Sequence, residues 1–175
     1  MSSREEPDSV EWMRQRWLGQ DEPKPEHFAA MATLLRTTIL VTDEMDRVLK
    51  DSQLSRTGYL ILITLQTSRE QTRPLGQLSK VLLVHPTTVT MAIDQLEKPG
   101  LVRRVPHPTD RRTILARLTP EGDDLAERAT KALAGIGYGL GDVSAASAGQ
   151  LTAALRRIRQ AIGDLGLPGG PARTQ

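Results

Sequence analysis

The chain has 175 residues, of which 38% are apolar and 25% are charged, and its mean hydropathy is −0.34. These values are typical of one globular domain and exclude a disordered chain. No cysteine occurs, which excludes disulfides, thiolate metal sites and thiol-based redox switches. The three histidines, His27, His85 and His107, are too far apart to be ligands on one helix, so we expect no metal centre.

The distribution of charge is more informative than its net value of +2. Residues 74–118 carry seven basic and three acidic side chains, whereas residues 1–26 carry four basic and seven acidic ones. Positive charge concentrated in one segment is typical of a protein that binds the phosphate backbone of DNA. Aromatic residues make up 3% of the chain, too few for the stacking platforms that bind single-stranded nucleic acid.

Membrane and secretory signals are missing from the sequence. No stretch approaches the ~18 consecutive apolar residues of a membrane span, and the start, MSSREEPDSVEW, lacks the apolar run of a secretory signal. We therefore expect a cytoplasmic protein that does not contact a membrane.

Helical periodicity dominates the first part of the chain. A short apolar pattern over 10–18 predicts a helix that ends before the prolines at 23 and 25. A longer amphipathic pattern predicts a second helix over 30–50. A third pattern over 55–65 begins with a serine that can cap it, and the polar residues 67–73 predict a loop.

The elements between residues 74 and 118 are short and closely spaced. A short helix over 75–82 is followed by a tight turn and by a helix over 87–98, with Pro86 at its first position. Alternating, β-branched sequence over 101–105 and 113–118 then predicts a hairpin. Helix, turn, helix and hairpin in this order predict a winged helix-turn-helix.

Two helices are predicted after the hairpin. Thr119 can cap the first, which weakens where every second residue from 135 to 141 is glycine. Ser144 precedes the second, whose apolar residues recur at spacings of three and four.

The second helix of the winged helix-turn-helix carries candidate base contacts. A recognition helix offers its N-terminal side chains to the major groove, and Thr87, Thr88 and Met91 lie on the predicted polar face. The alternative is that the two threonines only cap their own helix. We leave out Thr90 because it lies nearer the predicted buried face.

The hairpin carries the basic candidates. Arg111 and Arg112, by its tip, can enter a narrow minor groove, and the alternative is that they are merely solvated. Arg103 and Arg104 fall on opposite faces of a strand, so at most one of them meets phosphate directly. The other arginine pairs with an acid or covers the hairpin, which is the wing of the winged helix-turn-helix. His107 either joins the wing contacts or is a passive loop residue.

Three sequence blocks resemble the MarR-type (multiple antibiotic resistance regulator) family of winged-helix transcription factors. They are LEKPGLVRR over 96–104, DRR over 110–112 and LTPEG over 118–122, in the family's order and spacing. The resemblance implies that one wing arginine reaches DNA while Asp110 orients the loop. The family often has Asp or Ser at position 85 as a helix cap, and His85 can replace it only if its neutral imidazole accepts a hydrogen bond.

The resemblance also implies the architecture and the partners. The expected fold is mainly α with a small β wing, and the expected partners are a second copy of the chain, a pseudo-palindromic double-stranded operator and a small-molecule effector. His27, Phe28 and Tyr59 are candidates for lining an effector pocket, with core packing as the alternative for Phe28 and Tyr59. The expected divisions are an N-terminal arm (1–28), dimerisation and scaffold helices (29–73), the winged helix-turn-helix lobe (74–118), C-terminal dimerisation helices (119–166) and a disordered tail (167–175).

These observations predict a dimeric, sequence-specific DNA-binding regulator, most simply a ligand-responsive repressor of its own or a nearby operon. The alternative is a winged helix that serves as a protein-interaction module without DNA binding, which the basic wing argues against. No glycine-rich phosphate loop, nucleophile elbow or catalytic triad is found in the sequence. We therefore expect neither enzymatic activity nor a cofactor.

Overall fold

The structure is a computed structural model that describes residues 8–18 and 24–164. The predicted tail lies outside these residues, as do parts of the predicted N-terminal arm. The described residues are mainly helical with one small sheet, which confirms the predicted fold class. The helices are α1 (Ser9–Leu18), α2 (Pro25–Lys50), α3 (Arg56–Gln66), α4 (Leu75–Leu82), α5 (Pro86–Glu97), α6 (Pro120–Gly135) and α7 (Ala145–Ala161), and the strands are β1 (Thr72–Pro74), β2 (Val102–Pro106) and β3 (Ile114–Leu118).

The chain divides into two compact units, residues 1–44 and 45–175. In the first unit, the Arg14 guanidinium of α1 donates hydrogen bonds to Glu11 (2.8 Å) and to Glu26 (3.0 Å) at the start of α2. The hydrogen bond from Arg14 is the main cause that lowers the pKa of Glu11 to about 2. Several large apolar side chains of α2 are exposed: Met31, Leu34, Leu35, Ile39 and Leu40.

The second unit has a continuous apolar core. Ser55 caps α3 by accepting a hydrogen bond from the Gly58 N–H (3.0 Å), as the sequence predicts. The core is built from the end of α2, from α3, α4, α5 and α6, and from the sheet, and its fully buried large side chains are Leu49, Ile61, Leu62, Leu65, Leu78, Val89, Ile93, Val102 and Leu133. Because Val89 and Ile93 of α5 and Val102 of β2 are buried in it, α5 and the hairpin are packed on the same core.

The sheet is antiparallel with the strand order β1-β3-β2. The hairpin of β2 and β3 is the predicted one, and its register pairs Arg103 with Arg117 and Arg104 with Ala116. The prediction of a loop over 67–73 is wrong at its end, because residues 72 and 73 belong to β1 and pair with β3. Three residues are too few to show the alternation by which a strand is recognised.

The start of α6 is packed tightly onto the start of β2. The Thr119 hydroxyl donates to the Gly100 carbonyl (2.7 Å) and accepts from the Gly122 N–H (3.1 Å), so Thr119 caps α6 as predicted. A Cβ at Gly122 would lie 2.1 Å from the Leu101 carbonyl oxygen, a distance that no side chain tolerates. The TPEG sequence therefore joins the wing to α6 through backbone contacts that require glycine.

The last helix, α7, is not packed into the core. It begins after Ser144, which caps it by accepting a hydrogen bond from the Ser147 N–H (3.1 Å). None of its residues is buried, although Leu151, Leu155 and Ile158 form an apolar row at spacings of four and three. Its apolar face is consequently available to another chain.

Candidate nucleic-acid interface

The recognition helix α5 begins with a histidine cap. His85 has extended backbone angles, and its Nδ1 accepts a hydrogen bond from the Thr87 N–H (3.3 Å). The ring nitrogen thus takes the acceptor role that a carboxylate or hydroxyl oxygen has in the usual helix cap. Because His85 is the cap, the side chains of Thr87 and Thr88 are not needed for that role.

The N-terminal half of α5 presents its predicted polar face to solvent. Thr87, Thr88 and Met91 are all exposed, and Met91 retains 59% of its accessible surface. Val89 and Ile93, by contrast, are buried in the core. An exposed Met beside two exposed threonines offers a methyl-rich surface with two hydroxyls, which can contact base edges in a major groove.

Thr90 is exposed as well, so the expectation that it lies near the buried face is wrong. Its hydroxyl donates to the Pro86 carbonyl (3.2 Å). The apolar stripe of α5 consists of residues at 89, 92, 93 and 96, and it is too narrow to cover position 90. Thr90 therefore extends the exposed polar surface next to Met91.

Arg104 binds two acidic side chains of α5. Its guanidinium forms an ion pair with Asp94 (2.6 Å) and another with Glu97, and its backbone N–H donates to Glu97 Oε1 (3.0 Å). Partial burial alone lowers the pKa of Arg104, but the bonds to Asp94 and Glu97 outweigh it and raise the pKa above its ordinary value. Arg104 is thus the arginine that pairs with acids, and it ties β2 to the recognition helix.

Arg103 is in the opposite situation. It is exposed and makes no ion pair within residues 8–18 and 24–164. Its cross-strand neighbour is Arg117, also exposed, whose Nε donates to Thr72 Oγ1 (3.3 Å). Like charges directly opposite each other in a sheet are destabilising, and a bound anion would relieve this repulsion. Arg117 was not among the predicted contacts, although the register of the hairpin pairs it with Arg103.

The wing loop between β2 and β3 is organised by Asp110. Its carboxylate accepts hydrogen bonds from the Thr113 hydroxyl (2.6 Å) and from the Arg112 N–H (3.0 Å), and in that order these bonds lower the pKa of Asp110. His107 Nδ1 accepts from the Asp110 N–H (3.2 Å), so this histidine is a structural part of the loop. The side chains of Arg111 and Arg112 are exposed at the tip.

The acidic side chains of segment 74–118 are paired within the segment, whereas several of its basic side chains are not. Its three acidic residues are Asp94, Glu97 and Asp110, and each is bonded to a neighbour in the same segment. The guanidinium groups of Arg103, Arg111 and Arg112 have no acidic partner in the part of the chain that the structure describes. These three positively charged side chains are therefore exposed to solvent.

The residues predicted to line an effector pocket lie in different surroundings. His27 is exposed and Phe28 is half-buried in the first unit. Tyr59 is buried in the core of the second unit, where its hydroxyl lies 3.1 Å from Thr130 Oγ1. Tyr59 thus has the core-packing role that the sequence left open as an alternative.

Other kinds of site find no support in the described ranges. Within residues 8–18 and 24–164, no group of three or more His, Asp or Glu side chains could hold a metal ion. Over the same residues, no helix is long and apolar enough to cross a membrane.

Comparison with known proteins agrees with this geometry. A family model described as MarR family matches residues 54–114. Sco5413, a MarR family transcriptional regulator from Streptomyces coelicolor, is 34% identical in sequence to this chain. Its crystal structure matches the present structure with a TM-score of 0.73, and the match covers 80% of this chain and 97% of Sco5413. The chain belongs to the MarR family. The resemblance carried by the three sequence blocks is thereby confirmed.

Two further relatives define how far the likeness extends. PecS of Dickeya dadantii (strain 3937), an HTH-type transcriptional regulator, is 33% identical over 107 residues, which cover 59% of this chain and 63% of PecS, less than two thirds of its length. Sco3205, a MarR family regulator from Streptomyces coelicolor in complex with DNA, is 24% identical with a TM-score of 0.70, and the match covers 78% of this chain and 91% of Sco3205. The likeness to Sco3205 concerns the fold.

Proposed function

We propose that this MarR family member is a dimeric, sequence-specific DNA-binding transcriptional regulator. The observation that carries the proposal is the division of charge in segment 74–118. Every acid there is bonded to a neighbour, while Arg103, Arg111 and Arg112 are exposed and have no acidic partner among residues 8–18 and 24–164. Sco3205 shares this fold, and its crystal structure is a complex with DNA, which supports DNA as the partner of this chain.

Each part of the surface has its own role in the proposal. Thr87, Thr88 and Met91 contact base edges in the major groove, because they are exposed at the N-terminal end of α5. Arg111 and Arg112 reach the minor groove from the loop that Asp110 organises.

The two strand arginines have separate roles. Arg103 meets a phosphate, and Arg104 positions α5 without touching DNA, because its guanidinium is occupied by Asp94 and Glu97.

Dimerisation follows from the exposed apolar surface. The row formed by Leu151, Leu155 and Ile158 on α7 has no buried member in this chain, and contiguous exposed apolar surface marks an interaction site. A two-fold dimer places two recognition helices about 34 Å apart, one turn of DNA, and so reads a pseudo-palindrome.

Regulation in this proposal needs binding only. The protein acts in the cytoplasm as a repressor of its own or a nearby operon and performs no catalysis. A small-molecule effector releases the DNA if it binds more tightly to a conformation of the dimer whose two lobes do not fit the operator. The strength of this release equals the difference in its affinity for the two conformations.

The first experiment measures DNA binding by the full chain. The purified protein is titrated onto labelled DNA from upstream of its own gene, onto other candidate operators from neighbouring genes and onto scrambled controls, at two salt concentrations. We expect tight binding by a dimer to one of the specific fragments, with a log–log salt slope that reflects several phosphate contacts at roughly 0.9 each. Equal binding to specific and scrambled DNA, or none to any, contradicts the proposal and favours the protein-interaction module.

Three variants then test the individual roles. Arg111→Ala or Arg112→Ala should weaken operator binding by about 5- to 150-fold, which corresponds to about 1–3 kcal/mol. Lys131→Ala removes an exposed charge from α6 outside the predicted contacts and is the matched control. Thr88→Ala should lower the preference for operator over scrambled DNA more than it lowers nonspecific binding. Unchanged binding by both arginine variants would overturn the role of the wing.

A further inference from the structure

The connection between α6 and α7 has an unusual backbone. Residues 135–141 read Gly-Ile-Gly-Tyr-Gly-Leu-Gly, and we call this segment the glycine turn. Four of its residues have positive φ: Gly137 (56°), Tyr138 (56°), Gly139 (85°) and Gly141 (61°). Glycine adopts this left-handed conformation freely, whereas a tyrosine does so only at a cost. Because a run of positive φ values cannot continue an α-helix, α6 ends at Gly135, the first residue of the glycine turn.

The glycine turn has a defined internal structure. Ile136 is half-buried and packs against the core of the second unit. Its carbonyl oxygen accepts hydrogen bonds from the N–H groups of Gly139 (3.1 Å) and Gly141 (3.2 Å). The Leu140 N–H donates to the Gly137 carbonyl (3.0 Å). These bonds hold the turn in one conformation, so it differs from an open linker.

The glycine turn joins two helices with opposite environments. On one side, α6 is anchored in the same core as α5 by Ala126, Ala129 and Leu133, which are all buried. On the other side, α7 buries no residue in this chain. The direction in which α7 leaves the core is therefore set by the backbone angles between the two helices, and every positive φ among them lies in the glycine turn.

We propose that the glycine turn determines which half-site spacing the dimer selects. This inference rests on the proposed function, in which α7 packs against the partner while the core of each copy presents α5 to DNA. Two-fold symmetry repeats any change in the angle between α7 and its core on both sides of the dimer axis. A small change at the turn therefore moves the two recognition helices further apart or closer together. One base pair corresponds to about 3.4 Å of helix rise and roughly a tenth of a turn of rotation, so modest displacements select a different spacing.

Two neighbouring glycines provide a matched pair for the test. At Gly135 and at Gly137, an added Cβ would have no atom within 4 Å. The two positions differ in backbone, because Gly135 is the last residue of α6 and Gly137 has a φ of 56°. Gly135→Ala should therefore keep the turn and favour the helix, whereas Gly137→Ala, and more strongly Gly137→Ala with Gly141→Ala, penalises the turn and favours continuation of α6.

The readout is the preferred spacing. Affinities are measured for operators whose half-sites are moved closer or further apart by one and two base pairs. We expect the unmodified chain and Gly135→Ala to prefer the same spacing. The double variant should prefer a spacing changed by at least one base pair, or lose at least tenfold of the discrimination between neighbouring spacings. The same preference in all three dimers would overturn the inference.

A second measurement separates this inference from the proposed function. The chain has no cysteine, so Lys80→Cys on the exposed side of α4 gives one spin label per protomer. The label-to-label distance in the dimer without DNA should change in the double variant and stay the same in Gly135→Ala. If the protein binds no operator, the proposed function fails, but the label-to-label distance still tests the glycine turn. The same distance in the unmodified dimer and in the double variant would overturn the role of the glycine turn. If the double variant does not dimerise, the comparison uses Gly137→Ala alone.

Discussion

Removing the guanidinium of Arg104 tests whether this residue positions the recognition helix or binds DNA. Arg104→Met keeps the apolar stem but loses the ion pairs with Asp94 (2.6 Å) and Glu97. The side chain of Arg104 is 28% exposed, whereas those of Asp94 and Glu97 are 54% and 38% exposed, so solvent screens both pairs. At about 0.2–1 kcal/mol for each screened pair, the loss of stability should be about 1 kcal/mol.

The assay combines thermal unfolding with DNA titration. A loss of about 1 kcal/mol lowers the Tm by roughly 2–4 °C in a chain of this size. Operator affinity should also fall, because α5 loses its tie to β2. The salt slope should not change, because Arg104 contacts no phosphate in this arrangement, whereas Arg103→Met should reduce the slope by about 0.9 with little change in Tm.

The opposite pattern would refute this reasoning. If Arg104→Met reduced the salt slope by about one and left the Tm unchanged, the guanidinium would bind phosphate and the ion pairs would contribute nothing. A double-mutant cycle with Glu97→Gln gives an independent check, because residues that interact directly are not additive. Coupling near zero between Arg104 and Glu97 would also count against the positioning role.

Three further predictions concern the cap, the junction and the wing. His85→Asp should raise the Tm, because a carboxylate caps the N-terminus of α5 better than imidazole does; an unchanged or lower Tm would contradict the capping role of position 85. Gly122→Ala should unfold or strongly destabilise the chain, by more than about 3 kcal/mol, since its Cβ would lie 2.1 Å from the Leu101 carbonyl oxygen; a normal denaturation midpoint would contradict this packing. The hydrogen bonds that Asp110 accepts lower its pKa, so they should hold the wing loop fully above about pH 4, the ordinary carboxyl range, and be lost as the pH falls through the lowered pKa. The Arg112 amide resonance, followed by NMR, should shift over this pH range in the unmodified chain. It should show no such shift in Asp110→Asn.

Features that depend on nearby residues could be predicted from the sequence. Ser55 and Thr119 cap their helices as expected because capping involves residues two or three positions away. For His85 the sequence makes capping conditional on an imidazole nitrogen that accepts a hydrogen bond, and Nδ1 does accept one from the Thr87 N–H. The prediction for α2 was less accurate, because the helix begins at Pro25, five residues before its amphipathic pattern, and proline fits the first helical position.

Features that depend on distant residues could not be predicted. The short strand β1 exists because residues 72–74 pair with β3, a contact that no local pattern reports. Sequence alternation showed that Arg103 and Arg104 lie on opposite faces, but the choice between them required the position of Asp94 and Glu97 on α5. Thr90 was misjudged because the width of the buried stripe depends on what α5 packs against.

The two ends of the proposed mechanism depend on different kinds of stability. The exposed recognition surface is carried by α5 and the hairpin, which are packed on the buried core, so both are already arranged before DNA binds. A helix of 17 residues such as α7 is marginal in water when it buries nothing, so the proposed dimer supplies the contacts that stabilise it. In the proposed mechanism, the core determines which bases are read, whereas dimer formation and the glycine turn determine the spacing between the two half-sites. Changes in the glycine turn can therefore alter operator choice without altering any residue that touches a base.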